Sequence, residues 1–366
     1  MYEAERSTYL DCVRGFAIIL VVLGHAIQCG SGPDFFETEA YFDNALFQII
    51  YSFHMPLFIL LSGYLFAASI KKHCFMENVK SRFCNILFPA ALWSISAHLI
   101  PWLVNIWLYG SGGATVDLAN LPGSFVFGVL NDFWFLWSIF YCSMITLLIN
   151  RYFKDSPIAY IAIFLASLFM DDFTFANHKF MFPYFACAYF IGKYDVIHRI
   201  RSSKQWKYIL GALLIGSGIG WGMLLPMYNR AAFIYTSGNS LRKVERWGFS
   251  FEEQMLRIAY RYCIGALGCI FVLTVIYLIH KVIKDGKLNV LLQYLGRKSL
   301  AIYCASGLVS GYLYNILLPM IPASDQQMKL YLINLFETVA IILLICMILR
   351  PLDKIRLFRK YFMGGR

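Results

Sequence analysis

Charged residues are scarce in this 366-residue chain: Asp, Glu, Lys and Arg make up 14%, against 59% hydrophobic and 17% aromatic residues, and the mean hydropathy is +0.61. So little charge excludes a soluble domain of this size and reads as a polytopic membrane protein. Paired cysteine motifs are also missing. The ten Cys include no Cys-x-x-Cys pair and most fall within apolar segments, where Cys behaves as a small hydrophobe, so neither a disulfide framework nor a metal site is expected. There is no regular repeat and no low-complexity linker, and no appended soluble domain is expected. The first apolar run is flanked by Glu3, Glu5 and Arg6 and has no small-residue cleavage pattern, so it is expected to stay as a membrane helix rather than be removed as a signal.

What is present is a series of apolar stretches, at roughly 15–30, 45–69, 84–108, 133–150, 157–170, 180–192, 208–226, 260–280, 299–319 and 330–349, the fifth and sixth being short. The expected architecture is an all-α polytopic transmembrane bundle of about ten helices. Residues 1–350 are read as one membrane domain and 351–366 as a basic cytoplasmic tail.

The net charge of +11 reads as topology rather than as a nucleic-acid surface, because the cations recur in alternate connections. Lys71, Lys72, Lys80 and Arg82 follow the second segment, Arg151 and Lys154 the fourth, and Lys193, Arg199, Arg201, Lys204 and Lys207 the sixth. Lys281, Lys284, Lys287, Arg297 and Lys298 follow the eighth, and Arg350, Lys354, Arg356, Arg359, Lys360 and Arg366 follow the tenth. Both termini are therefore expected in the cytoplasm. Residues 31–44, with Asp34, Glu37, Glu39 and Asp43 and no Lys or Arg, fall outside. The exception is 227–259, which mixes Arg230, Arg242, Lys243, Arg246 and Arg257 with Glu245, Glu252 and Glu253. It is either a solvated excursion or part of an external binding surface.

The first segment carries the sharpest signal. Arg14 and His25 are separated by eleven helical steps, about 20° beyond three full turns and roughly 16 Å along the axis, so one helix face presents them at two depths. Ionisable groups inside an apolar segment are functional candidates by default. His25 has the chemistry of a general base for a hydroxyl. Arg14, in a polar cluster with Asp11 and Gly15, either snorkels to headgroups or holds an anionic ligand from the cytoplasm.

The second segment runs Phe53-His54-Met55-Pro56 to Leu61-Ser62-Gly63-Tyr64, with a proline that permits a kink beside a cavity. His54 either lines that cavity or satisfies the carbonyl the proline frees. The basic pairs Lys71-Lys72 and Lys80-Ser81-Arg82 are ordinary inside charge or a phosphate grip. Asp132, Trp134 and Trp137 at the fourth segment are interfacial anchors or a sugar platform, in which indoles stack on a ring and a carboxylate accepts from hydroxyls. His98, Arg261 and His280 read as structural pairs or snorkelling ends, and Glu337, about a third of the way into the last segment, is kept as a cavity candidate.

The chain resembles the acyltransferase 3 family of integral-membrane acyltransferases. The resemblance rests on Leu10-Asp11-Cys12-Val13-Arg14-Gly15, the spacing from Arg14 to His25, and the two strings of the second segment. It continues through Trp134-Phe135-Leu136-Trp137, Phe182-Pro183-Tyr184-Phe185 with Gly192, and Tyr294 to Tyr303. It implies transfer of an acyl group, most often acetyl from acetyl-CoA in the cytoplasm, to a hydroxyl of a glycan such as an O-antigen, capsule or exopolysaccharide. The implied partners are the lipid bilayer, acyl-CoA as a donor substrate rather than a resident cofactor, and a glycan acceptor, in a bacterial inner membrane.

By position, the resemblance makes His25 the base, gives Arg14 a part in holding the donor, and lays a basic-x-basic pattern on Lys80 and Arg82, with Lys71 and Lys72 as further CoA contacts. Lys80 stands where the family more often has arginine, and an ammonium lacks the bidentate fork. Ser306 stands where many relatives have a histidine. The chain is expected to act as a stand-alone member, without the additional hydrolase-like domain of many relatives. A glycan or lipid transporter is the other class that fits such a bundle, and it needs no CoA.

Overall fold

The computed structural model describes residues 2–31, 38–109, 121–172, 175–242, 248–283, 286–317 and 327–364. Asp34, Glu37, Lys243, Glu245, Arg246, Lys284 and Arg366, which entered the topology reading, lie outside the described residues.

Among the described residues every long regular element is helical. The order is α1 (Tyr2–Gly30), α2 (Glu39–Phe42), α3 (Ala45–Lys72), α4 (Phe75–Arg82), α5 (Phe88–Tyr109), α6 (Leu121–Asn131), α7 (Trp134–Phe153), α8 (Pro157–Leu168) and α9 (Ala176–Lys193). There follow α10 (Val196–Arg201), α11 (Trp206–Leu224), α12 (Ile234–Ser237), α13 (Phe251–Val282), α14 (Lys287–Arg297), α15 (Ser299–Leu317), α16 (Gln327–Leu352) and α17 (Arg356–Phe362). The apolar segments drawn from the sequence all overlap helices. Among the described residues six helical spans are long and apolar enough to cross a membrane: Thr8–Gly30, Ala45–Lys72, Phe75–Ile100, Trp206–Met227, Phe251–Val282 and Tyr331–Leu352.

In lipid, apolar surface gains little by leaving one apolar neighbour for another, so helices associate where small residues let their backbones approach. Two crossings show this. A Cβ on Gly15 of α1 would collide with the Leu292 carbonyl oxygen of α14, and one on Gly296 of α14 with the Asp11 carbonyl oxygen of α1. At the α3–α9 crossing, a Cβ on Gly63 of α3 would strike the Phe185 carbonyl oxygen, and one on Gly192 of α9 would sit 2.7 Å from the Tyr64 carbonyl oxygen. Each of these glycines lies within or beside a string that carried the family resemblance.

The helix ends follow local chemistry. Asn44 caps α3 by accepting from the Leu46 and Phe47 amides. Ser250 and Glu253 cap α13 reciprocally, at 3.2 and 2.8 Å. A π-helical turn, Phe83–Leu87, joins α4 to α5. α1 begins at Tyr2, so Asp11 and Arg14, which precede the apolar stretch drawn from residue 15, already lie well inside the helix.

The segment drawn as a basic tail contains a docked amphipathic helix. Arg356, Arg359 and Lys360 of α17 are exposed, whereas the Trp93 indole of α5 meets the Phe358 and Phe362 rings edge-on and donates to the Phe362 carbonyl at 2.9 Å. Met363, just beyond, is buried in the main core.

Candidate active site

Two cavities adjoin inside the bundle. One, of about 220 Å³, is lined by His25, His54, Asp132, Trp134 and Arg261 among others. The second, of about 510 Å³, is lined by Arg14, Ser62, Arg82 and Arg297 among others. Val21, Met55 and Tyr303 belong to the walls of both. His25 is one helical turn beyond Val21, about 6 Å along the axis, and therefore stands next to the junction.

The His25 chamber is aromatic and polar. Tyr51, Tyr228, Tyr235, Tyr303, Trp134 and Phe233 contribute rings, while Gln28 and Asn177 contribute amides. His25 is half-buried, and its Nδ1 is 3.2 Å from the Gln28 side-chain oxygen. With that oxygen accepting, Nδ1 carries the proton and Nε2 keeps the lone pair a base needs. His54 is buried, and its Nδ1 donates to the Ile50 carbonyl at 2.7 Å, which fixes the same tautomer. A proline at 56 frees the carbonyl of residue 52, not of residue 50, so His54 lines the cavity without serving as the proline's substitute donor. Its ring stands edge-on to Tyr51 at 4.8 Å.

Asp132 is fixed before it meets any ligand. The Ser94 hydroxyl donates to its Oδ2 at 2.7 Å, and His98 Nε2 lies 3.2 Å from the same oxygen. Trp134 lies edge-on to Tyr235. Trp137 lies apart from this chamber, with its indole N–H donated to the Val129 carbonyl at 2.8 Å and its ring against Tyr141.

Part of the mixed-charge connection 227–259 folds back against the helices and into the cavity wall. Tyr228, Phe233, Ile234 and Tyr235 form part of the chamber wall. The segment is held inward at its Ser237–Ser240 turn, where Gly238 has φ +62. Asp172 accepts from the Asn239 and Ser240 amides at 2.8 and 3.0 Å. Gln254 donates to the Ser237 and Ser240 carbonyls. Arg261 donates to the Gly238 carbonyl at 2.6 Å and to the Ser237 hydroxyl at 3.1 Å.

The Arg14 chamber gathers cations at its mouth. Arg14 is ion-paired with Asp11 at 3.2 Å. Arg82 lies over the Phe66 ring at 4.4 Å, a stacked arrangement suited to a planar guanidinium. The π-helical turn follows Arg82 directly and brings Asn85 and Ile86 into the same wall, and Met363 and Gly364 close it from beyond α17. Arg297, which entered the sequence reading through topology and the Tyr294 to Tyr303 string and was assigned no site role, is the third arginine. Of the proposed lysines, Lys72 and Lys80 are exposed, and Lys71 donates to the Lys193 carbonyl at 2.9 Å; none lines this chamber.

Three other candidates lie elsewhere. Tyr64 belongs to a separate apolar cavity of about 260 Å³ with Tyr9, Tyr277 and His280. Glu337 is half-buried on α16 and lines neither of the adjoining cavities. Ser306 is buried and donates to the Tyr303 carbonyl of its own helix. Among the described residues no group of three or more His, Cys, Asp or Glu is placed to hold a metal ion.

The helices and the paired cavities define an integral membrane protein with a cationic mouth and an aromatic, polar chamber that meet beside a histidine. The profile of the acyltransferase 3 family, described as an acyltransferase domain, matches residues 7–350, and the chain belongs to that family. It is similar to the nodulation protein NolL of Mesorhizobium japonicum, 26% identical over 238 residues that make up 63% of this chain and 61% of that protein. It is also similar to the nodulation protein NolL of Sinorhizobium fredii, 32% identical over 142 residues, 39% of this chain and 36% of that protein. The chain thus spans less than two thirds of either relative. No solved structure matches it.

Proposed function

We propose that this protein transfers an acyl group, acetyl first among them, from acyl-CoA in the Arg14 chamber to a hydroxyl of a glycan seated in the His25 chamber. The observation that carries this reading is the meeting of two cavities of opposite chemistry at Val21, Met55 and Tyr303, with His25 beside the junction. Three arginines suit the phosphates of CoA, since guanidinium forks bind such oxygens bidentately. Rings interleaved with Asp132, Asn177 and Gln28 suit a carbohydrate, whose faces stack and whose hydroxyls need both donors and acceptors.

In this reading the Arg14 end faces the cytoplasm of a bacterial inner membrane, both termini lie on that side, and about ten helices cross. His25 Nε2 takes the acceptor hydroxyl proton as the hydroxyl oxygen attacks the thioester carbonyl. The carbon–sulfur bond then breaks, and the departing CoA thiolate recovers the proton from the imidazolium. The products are an ester and CoA thiol.

The test is the O-acyl content of cell-surface glycan, by NMR before and after mild alkali, from cells with wild-type or equally expressed His25→Ala protein. An alkali-labile signal present only with the wild type is expected. Equal signals would remove His25 from the chemistry and favour a transporter.

A further inference from the structure

We infer that Arg261 is a specificity residue that seats an anionic oxygen group of the acceptor, a carboxylate or a phosphate, inside the His25 chamber. This rests on the reading of that chamber as the acceptor site. Arg261 is 2% exposed and lines the chamber from α13, within a span long enough to cross a membrane. Its two terminal nitrogens are used on neutral groups, the Gly238 carbonyl and the Ser237 hydroxyl. Its Nε is buried without a hydrogen-bond partner.

Among the described residues no carboxylate stands within ion-pair distance of Arg261. Asp172, which acts on it electrostatically, is already paired with Lys179 at 2.7 Å. Asp132, the carboxylate among the lining residues, is engaged by Ser94 and His98. Arg257, one turn away on the same helix, adds charge of the same sign.

A buried guanidinium with neutral partners alone is an unfavourable arrangement, because desolvation of the charge is only partly offset. A site kept in that state gains most from a ligand that brings the missing anion, and rejects one that leaves the charge uncompensated. A structural tether between α13 and the 237–240 turn needs hydrogen-bond donors but no charge, and Gln254 supplies such a tether with a neutral amide.

The experiment uses the full chain in lipid nanodiscs and three matched probes: methyl β-D-glucoside, methyl β-D-glucuronide and methyl β-D-glucoside 6-phosphate. Binding is read by tryptophan fluorescence, and transfer by release of CoA thiol from acetyl-CoA. The wild type is expected to bind one charged probe at least about 10-fold more tightly than the neutral one. Whichever charged probe prevails identifies the anion as carboxylate or phosphate. Arg261→Gln should bind all three at the neutral level, whereas Ser237→Ala, which loosens the tether and keeps the charge, should retain the preference. Should Arg261→Gln fail to fold, Arg261→Lys must weaken the charged probe and leave the Kd of the neutral one in place. Equal affinities in the wild type, or an undiminished preference in Arg261→Gln, would overturn the inference. Binding preference without thiol release from any probe would count against the transferase reading alone.

Discussion

Arg14 and His25 stand on one face of α1 yet open onto different cavities, and Val21, between them in sequence, belongs to the walls of both. On the proposed function, a donor entering past Arg14 and an acceptor entering past His25 would meet where Val21, Met55 and Tyr303 line both cavities. In the proposed reaction this division would let a charged, water-borne thioester and a glycan approach from separate directions, with His25 beside the place where they meet.

Val21 is 3% exposed, so its replacement by a larger side chain tests the junction directly. Val21→Phe is expected to cost about 1–3 kcal/mol of stability through overpacking. It should lower transfer by at least about 100-fold while leaving the Kd of acyl-CoA within about 3-fold, because the Arg14 mouth lies two turns away. Single-turnover transfer together with donor binding in nanodiscs measures both; parallel loss of binding would show that the cavities do not operate as separate compartments.

The arginines at the mouth should separate from the neighbouring lysines. Arg82→Ala and Arg297→Ala are each expected to raise the KM for acyl-CoA about 10-fold, roughly 1.4 kcal/mol, with kcat little changed. Lys72→Ala and Lys80→Ala, whose side chains are exposed outside the chamber, should leave it within about 2-fold. Initial rates against acetyl-CoA concentration decide the matter. A larger KM effect from Lys80 than from Arg82 would return the phosphate grip to the basic pair read from the sequence.

Much of this was legible in the chain because helical periodicity and intramembrane charge are local properties. The Arg14 to His25 spacing placed both on one face, and the proline at position 56 marked a cavity-bordering helix. Asp132 and Trp134, singled out together from their closeness in sequence, both line the His25 chamber. What escaped is long-range. Arg297 comes to Arg14 only because Gly15 and Gly296 let α1 and α14 touch backbone to backbone. The 227–259 connection turns inward through bonds from Asp172, Gln254 and Arg261, residues spread over some 90 positions. Trp137 and Trp134 look equivalent in sequence, but only Trp134 lines the chamber, whereas the Trp137 indole is drawn to the Val129 carbonyl. An unusual glycine in an otherwise apolar string was the available clue to the crossings, and an arginine inside an apolar helix was the clue to Arg261.

The α1–α14 crossing should prove intolerant of a single methyl group. In Gly15→Ala the new Cβ meets the Leu292 carbonyl oxygen, a backbone atom that cannot rotate away, so the helices must separate. A loss of about 2–3 kcal/mol in stability is expected, at the upper part of the overpacking range, with a raised KM for acyl-CoA because Arg297 moves with α14. Thermal unfolding in nanodiscs and donor kinetics measure the two effects. Gly211, whose Cβ would meet nothing within 4 Å, is the control, and Gly211→Ala should be neutral or slightly stabilising.

Asp155 gives a pH signature at the other end of α7. It is 3% exposed in the α7–α8 turn with φ +58, and it accepts from Lys193 at 2.6 Å, Tyr189 at 2.7 Å, Asn150 at 2.7 Å and Tyr160 at 3.0 Å. Burial pushes its carboxyl upward, but the hydrogen bonds from Lys193, Tyr189, Asn150 and Tyr160 prevail and hold it below the ordinary value. A depressed folded-state value means that the ionised carboxylate stabilises the fold above the unfolded-state value of about 3.9, and that this contribution fades as pH falls through the lower folded-state value. Asp155→Asn is therefore expected to lose on the order of 1.5–3 kcal/mol at pH 7, the size of a hydrogen bond to a charged group. The gap between wild type and variant should be constant from pH 7 to about 5 and narrow only below about 4. Thermal unfolding across that range checks it, and a gap that widens as the solution is acidified would show that Asp155 is held in its protonated form.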